Sequence, residues 1–153
     1  VPAAIHQIAE DFLHRFEGSW DLLLLGTNVY RWCKTEHEGF ARVLKSVCAH
    51  GYGIKREYIP QLRACFAAAA NQLQQETSHL SAEPYAIDRA WQELQPTGRW
   101  YTPTTEIARQ TPSYSDIGQA CFRWYRQRTV RDLDGRRSDR AWRYLPSDRF
   151  GEE

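Results

Sequence analysis

The sequence predicts an all-α protein, a single compact bundle of about five to seven helices. Three observations lead there. Apolar residues recur at three- and four-residue steps, as in Ile5, Ile8, Ala9, Phe12, Leu13 and Phe16. Prolines and most glycines fall between such stretches, at Gly18, Pro60, Pro96, Gly98, Pro103 and Pro112. No apolar–polar alternation of useful strand length stands out.

In chain order, residues 3–16 form an amphipathic helix ended by Gly18. Ser19 caps a second segment over 19–36, apolar nearly all round at its start, as a helix buried between others would be. Gly26 marks close packing or a break there. Residues 38–49 make a third helix, with Phe40, Val43, Leu44, Val47 and Cys48 inward and Arg42 and Lys45 on the other side. Residues 50–53 are a loop. Pro60 suits the first turn of a helix to about Glu76, with Ile59, Leu62, Phe66, Ala69, Ala70 and Leu73 inward. Its alanine run over 67–70 has high helix propensity and allows close approach. A loop over 77–84 leads to a short helix over 87–94, broken at 96–98, and Thr102-Pro103 starts another through Gln110.

The longest helix is expected over 113–134. Ser113 caps it, Asp116 sits in the first turn where negative charge suits the dipole, and the core stripe is Ile117, Ala120, Cys121, Trp124 and Tyr125. Ser138 caps a last turn or two before Pro146. Residues 88–94 echo 139–145, a single short internal match.

A chain of 153 residues fits one domain, 1–153, large enough to bury a core without staples. Hydrophobic residues at 42% and charged ones at 25% place it among soluble globular proteins. Cysteines 33, 48, 65 and 121 are scattered through apolar patterns, which reads as reduced thiols in a cytoplasmic protein rather than a disulfide scaffold. The amphipathic N-terminus does not read as a signal peptide, and the longest apolar run, 22–25, is too short to span a membrane. The chain begins at Val1 and contains no Met, which reads as a processed product, a fragment or a non-standard start.

Charge is uneven beneath a net of +1. Residues 1–98 hold 9 Lys and Arg against 11 Asp and Glu, whereas 99–149 hold 11 against 6. Arginine dominates, 17 to 3 lysines, and guanidinium forks suit phosphate. Arg123 and Arg126 fall opposite the expected core stripe, and Arg128, Arg131, Arg136 and Arg137 extend the charge. This ridge can hold a nucleic-acid backbone; a merely solvated helix face is the alternative.

No P-loop, dinucleotide fingerprint or HExxH motif is present, so no enzyme activity, cofactor or metal is expected. Cys33 and His37 could join Cys48 and His50 around a metal, but the spacing lacks the tight knuckles of structural zinc. Residues 102–128 have the proportions of a helix-turn-helix, which keeps a DNA-binding regulator open beside a pure protein–protein assembly module.

In character, the chain resembles the small subunit of CRISPR effector complexes, a family of compact helical bundles of about this size. The resemblance implies a non-catalytic subunit of a ribonucleoprotein, holding guide–target duplex or displaced strand beside other protein subunits. It assigns that role to Arg123, Arg126, Arg128, Arg131, Arg136 and Arg137, with Arg42 and Lys45. Some such subunits are translated from an internal start, which a Val1 without Met would fit.

Overall fold

The computed structural model describes residues 3–76, 83–105, 107–108, 113–115, 120–122 and 130. Helix α1, Ala3–Phe16, matches its sequence pattern. It stops where Glu17 and Gly18 take positive φ, 42° and 82°, and the Ser19 N–H closes on the Phe16 carbonyl at 2.6 Å. A left-handed residue after the last turn is how helices commonly end.

Beyond α1 the chain departs from an all-α bundle. The stretches read as helices over 19–36 and 38–49 are two long strands, β1 (Leu22–Lys34) and β2 (Phe40–Ile54), joined as an antiparallel hairpin. The reason lies in what covers them. Leu22 and Leu24 pack with Val43, Tyr58, Leu62, Trp91 and Trp100 on one side. Leu23 and Leu25 pack with Phe12, Phe16 and Phe40 on the other. A strand buried on both faces carries an unbroken apolar run, and periodicity alone cannot tell that run from a buried helix. The β1–β2 ladder also shifts register four times between Leu24 and Trp32. Each irregularity interrupts the two-residue alternation that would have announced a strand.

Helix α2, Ile59–Leu73, comes after a 3-10 turn at Arg56–Tyr58 and has proline in its first turn, as the sequence predicts. Helix α3, Ile87–Ala90, runs into a 3-10 turn at Trp91–Glu93, within the short helix expected over 87–94. The helix expected from Thr102 is displaced by strand β3, Trp100–Pro103. β3 pairs in parallel with Leu22 and Leu23 and antiparallel with Phe40, Ala41 and Arg42. It thus joins the first residues of both hairpin strands and closes a three-stranded ring.

The long Ser113 helix is also corrected at its start. Ser113–Ser115 (β4) pairs antiparallel with Ala120–Phe122 (β5), so the expected helical stripe does not hold at Ala120 and Cys121. Tyr114, Cys121 and Phe122 suit a strand, and Gly118 inside the supposed helix costs about 1 kcal/mol relative to alanine. The same two strands and β3 remove the helix-turn-helix proportions read over 102–128.

Aromatic rings anchor both layers. Trp91 and Trp100, fully buried, meet edge to face with centroids 5.1 Å apart, and the Trp100 Nε1–H donates to the Tyr58 hydroxyl at 3.1 Å. Beneath α1, the Phe16 ring centroid lies 4.4 Å from those of Phe12 and Tyr101. A third small cluster joins Val29, Ala41 and Val130, with Trp32 against it. Gly26 is required by a close approach. A β-carbon there would stand 2.7 Å from the Ala108 carbonyl oxygen and 3.0 Å from the His50 β-carbon.

One fully buried polar side chain, Gln95, completes the sheet's own bonding. Its Oε1 accepts the Ser46 N–H at 2.6 Å, and its Nε2 donates to the Ser46 carbonyl at 3.3 Å and hydroxyl at 3.1 Å. Removing a partner from a buried donor or acceptor costs about 1–3 kcal/mol for each group stranded. Gln95→Leu, close in volume but unable to bond, is therefore expected to lower unfolding free energy by at least about 2 kcal/mol. Urea unfolding of the two proteins checks this, and faster amide exchange at Ser46 locates the weakening.

Candidate functional site

Two cations stand directly opposite each other on the hairpin. Arg31 of β1 is the register partner of Lys45 of β2, and both are exposed. Directly paired residues point to the same face, with β-carbons about 4.5–5.5 Å apart. The ladder shifts register on both sides of Arg31, between Val29 and Arg31 and between Arg31 and Trp32. Irregularities of this kind re-aim side chains. Here they leave Trp32 against the buried Val29–Ala41 cluster while Arg31 is exposed.

Neither cation has an ion pair among the described residues. Ion pairs there include His6–Glu10, Arg15–Asp11, His37–Glu36 and Arg99–Asp21. Like charges directly opposite in a ladder are destabilising, on the scale of about 0.2–1 kcal/mol. An anion between the two reverses that sign. Lys34, also exposed, ends the same strand.

Lys45 is thus where a sequence-predicted contact meets a second cation, and Arg31 is the partner that sequence reading missed. Arg42 has a different setting. Its Nη2 donates to the carbonyls of Pro96 and Gly98, at 3.2 and 3.3 Å, bracing the turn that leads into β3. Arg123, Arg126, Arg128, Arg131, Arg136 and Arg137 lie outside the described residues. The helical spacing that set Arg123 and Arg126 opposite a core stripe does not hold at Ser113–Ser115 and Ala120–Phe122, which form β4 and β5.

Groups for chemistry are dispersed. No cluster of three or more His, Cys, Asp or Glu side chains comes together among the described residues, so Cys33, His37, Cys48 and His50 form no common metal site there. Burial, and then the charge of Glu93, push the Cys65 thiol up, away from the thiolate a nucleophile needs. His50 is buried at both ring nitrogens, with no hydrogen-bond partner for them among the described residues. No helix among the described residues is long and apolar enough to cross a membrane.

Comparison with known protein families, curated proteins and solved structures finds no match to this chain. The resemblance to small CRISPR subunits drew on size, basic side chains and a Val start as well as on helical-bundle character, and the strand ring corrects only the last of these.

The ring that carries the cation pair is held at its seam by Asp21 and Arg99. The Arg99 backbone N–H donates to Asp21 Oδ2 at 2.8 Å and its Nη2 to Oδ1 at 2.5 Å, while the Asp21 N–H returns a bond to the Arg99 carbonyl. Burial pushes the Asp21 carboxyl up, but the Arg99 hydrogen bonds and charge outweigh it and hold the group below its ordinary value. A carboxyl lowered in the folded state adds stability above its unfolded pKa, about 3.9, and loses it as pH falls through the lower folded value. Arg99 is half exposed, so solvent screens the charge–charge part. Asp21→Asn should then cost about 1–2 kcal/mol at neutral pH, chiefly through the charge-assisted bonds. Thermal melts from pH 7 to 2 check the sign: the gap between the two proteins narrows only below about pH 4.

Proposed function

We propose that this protein is a non-catalytic binding module that holds a nucleic-acid backbone across the outer face of its β1–β2 hairpin. The cross-strand pair Arg31–Lys45 carries the reading, because it is two exposed cations placed side by side without a counter-charge among the described residues. Phosphate between them would receive two charge-assisted contacts, and such contacts position a backbone without reading its sequence. The arginine-rich stretch from 123 to 137 supports the same chemistry by composition. Cys33 and Cys65 are free thiols, which fits a reducing cytoplasmic setting for this role.

Binding of the whole chain to random-sequence single strands and duplexes, measured by fluorescence anisotropy across a salt series, tests the proposal. Arg31→Ala with Lys45→Ala is expected to weaken all sequences equally. It should also lower the slope of log K against log salt by roughly 0.7–0.9 for each phosphate no longer held. Both positions are exposed strand sites whose like charges oppose each other, so the double variant should melt no lower than wild type. No wild-type binding, or an unchanged affinity and slope in the double variant, overturns the assignment.

A further inference from the structure

The described chain leaves one flank of α2 uncovered. An open groove of about 570 Å³ runs between that helix and the end of β2, lined by Tyr52, Ile54, Ile59, Phe66 and Ala67 among others. Ile59 is 46% exposed and Tyr52, on β2, 38%, and Leu73, 39% exposed, continues the apolar edge at the end of α2. Ile59, Phe66 and Leu73 are seven residues apart, so they repeat one position along the helix. Ile59 and Leu73 thus extend one apolar edge over 15 residues, about 22 Å of helix, with Phe66 between them packed partly against Trp91, and a second helix can lie along such an edge.

Electrostatics select the occupant. Among the described residues Arg63 is the one charged side chain lining the groove, and it is exposed and without an ion pair there. A second copy of this chain, related by a two-fold axis, would lay the groove on itself. That would bring two Arg63 side chains into one apolar interface with no carboxylate from the groove to meet them. A partner that brings its own acid has no such conflict. The small side chain of Ala67, which lines the groove, also lets another helix approach closely.

We infer that the α2–β2 groove docks an amphipathic helix of a different protein, whose apolar stripe is edged by carboxylates that meet Arg63. This is helix-in-groove recognition, with apolar anchors for affinity and the cation for orientation. It uses neither Arg31 nor Lys45, so it stands or falls apart from nucleic-acid contact.

Two labelled synthetic helices of about 18 residues, long enough to match α2, would be titrated with the full chain. They share one leucine stripe and differ only in carrying Glu or Lys along its edge. The Glu-edged helix is expected to bind about fivefold tighter or better, the factor that an ion pair of about 1 kcal/mol supplies. Arg63→Gln should erase the preference and Arg63→Glu should reverse it. Both are exposed helix substitutions whose melting curves confirm folding. The Arg31→Ala, Lys45→Ala double variant should bind both helices as wild type does. Equal binding of the two helices, or binding of neither, overturns the inference. Concentration-dependent self-association of the wild type that Ala67→Arg abolishes also overturns it, by giving the groove to a second copy.

Discussion

Closure of the bent hairpin by β3 is the constraint on which the described fold rests. Two strands alone are marginally stable in water. β1 and β2 become a durable unit because Trp100–Pro103 bonds to the beginning of each. Trp100 makes that closure favourable by filling the space between Trp91 and Tyr58, with its Nε1–H satisfied by the tyrosine hydroxyl. Gly98 is part of the same device. A β-carbon there would lie 2.5 Å from the Trp100 indole nitrogen.

Once the ring is closed, every other element has a face to cover. Helix α1 takes the side with Leu23, Phe40 and Tyr101, and α2 with α3 takes the side with Leu22, Leu24 and Trp100. Covering both faces removes water from the hairpin, so its polar groups must be answered inside. Gln95 answers Ser46, Thr27 donates to the Val47 carbonyl at 2.8 Å, and Thr102 donates to the Leu24 carbonyl at 3.1 Å. Cys48 takes a positive φ of 67° where β2 departs from its regular pairing, and its N–H donates to the Asp88 carboxylate at 2.9 Å. The last bond ties α3 to the strand at this left-handed residue.

The two proposed surfaces result from what this coverage omits. α1, α2 and α3 lie over the leucine-rich half of β1 and the ends of β2, leaving Arg31 and Lys45 exposed farther along the hairpin. α2 commits Leu62, Cys65 and Ala69 to the core and keeps Ile59 and Leu73 largely outside. The cation pair and the apolar groove therefore present opposite chemistries on separate parts of the described structure.

Residue pattern alone determined the elements whose stability is local. α1 carries a clean 3.6-residue stripe and a glycine stop, α2 carries a first-turn proline and an alanine run, and the short α3 sits between breakers. It also identified Lys45 as an outward cation, because alternate sides of an apolar pattern differ in either secondary structure. Tertiary structure alone decided that residues 22–34 and 40–54 are strands, since an all-apolar run satisfies a buried helix and a two-faced strand equally well. The choice was made by contacts far along the chain, α1 on one face and Trp91 and Trp100 on the other. Only that pairing could set Arg31 opposite Lys45, because cross-strand register is a relation between two segments and neither segment contains it.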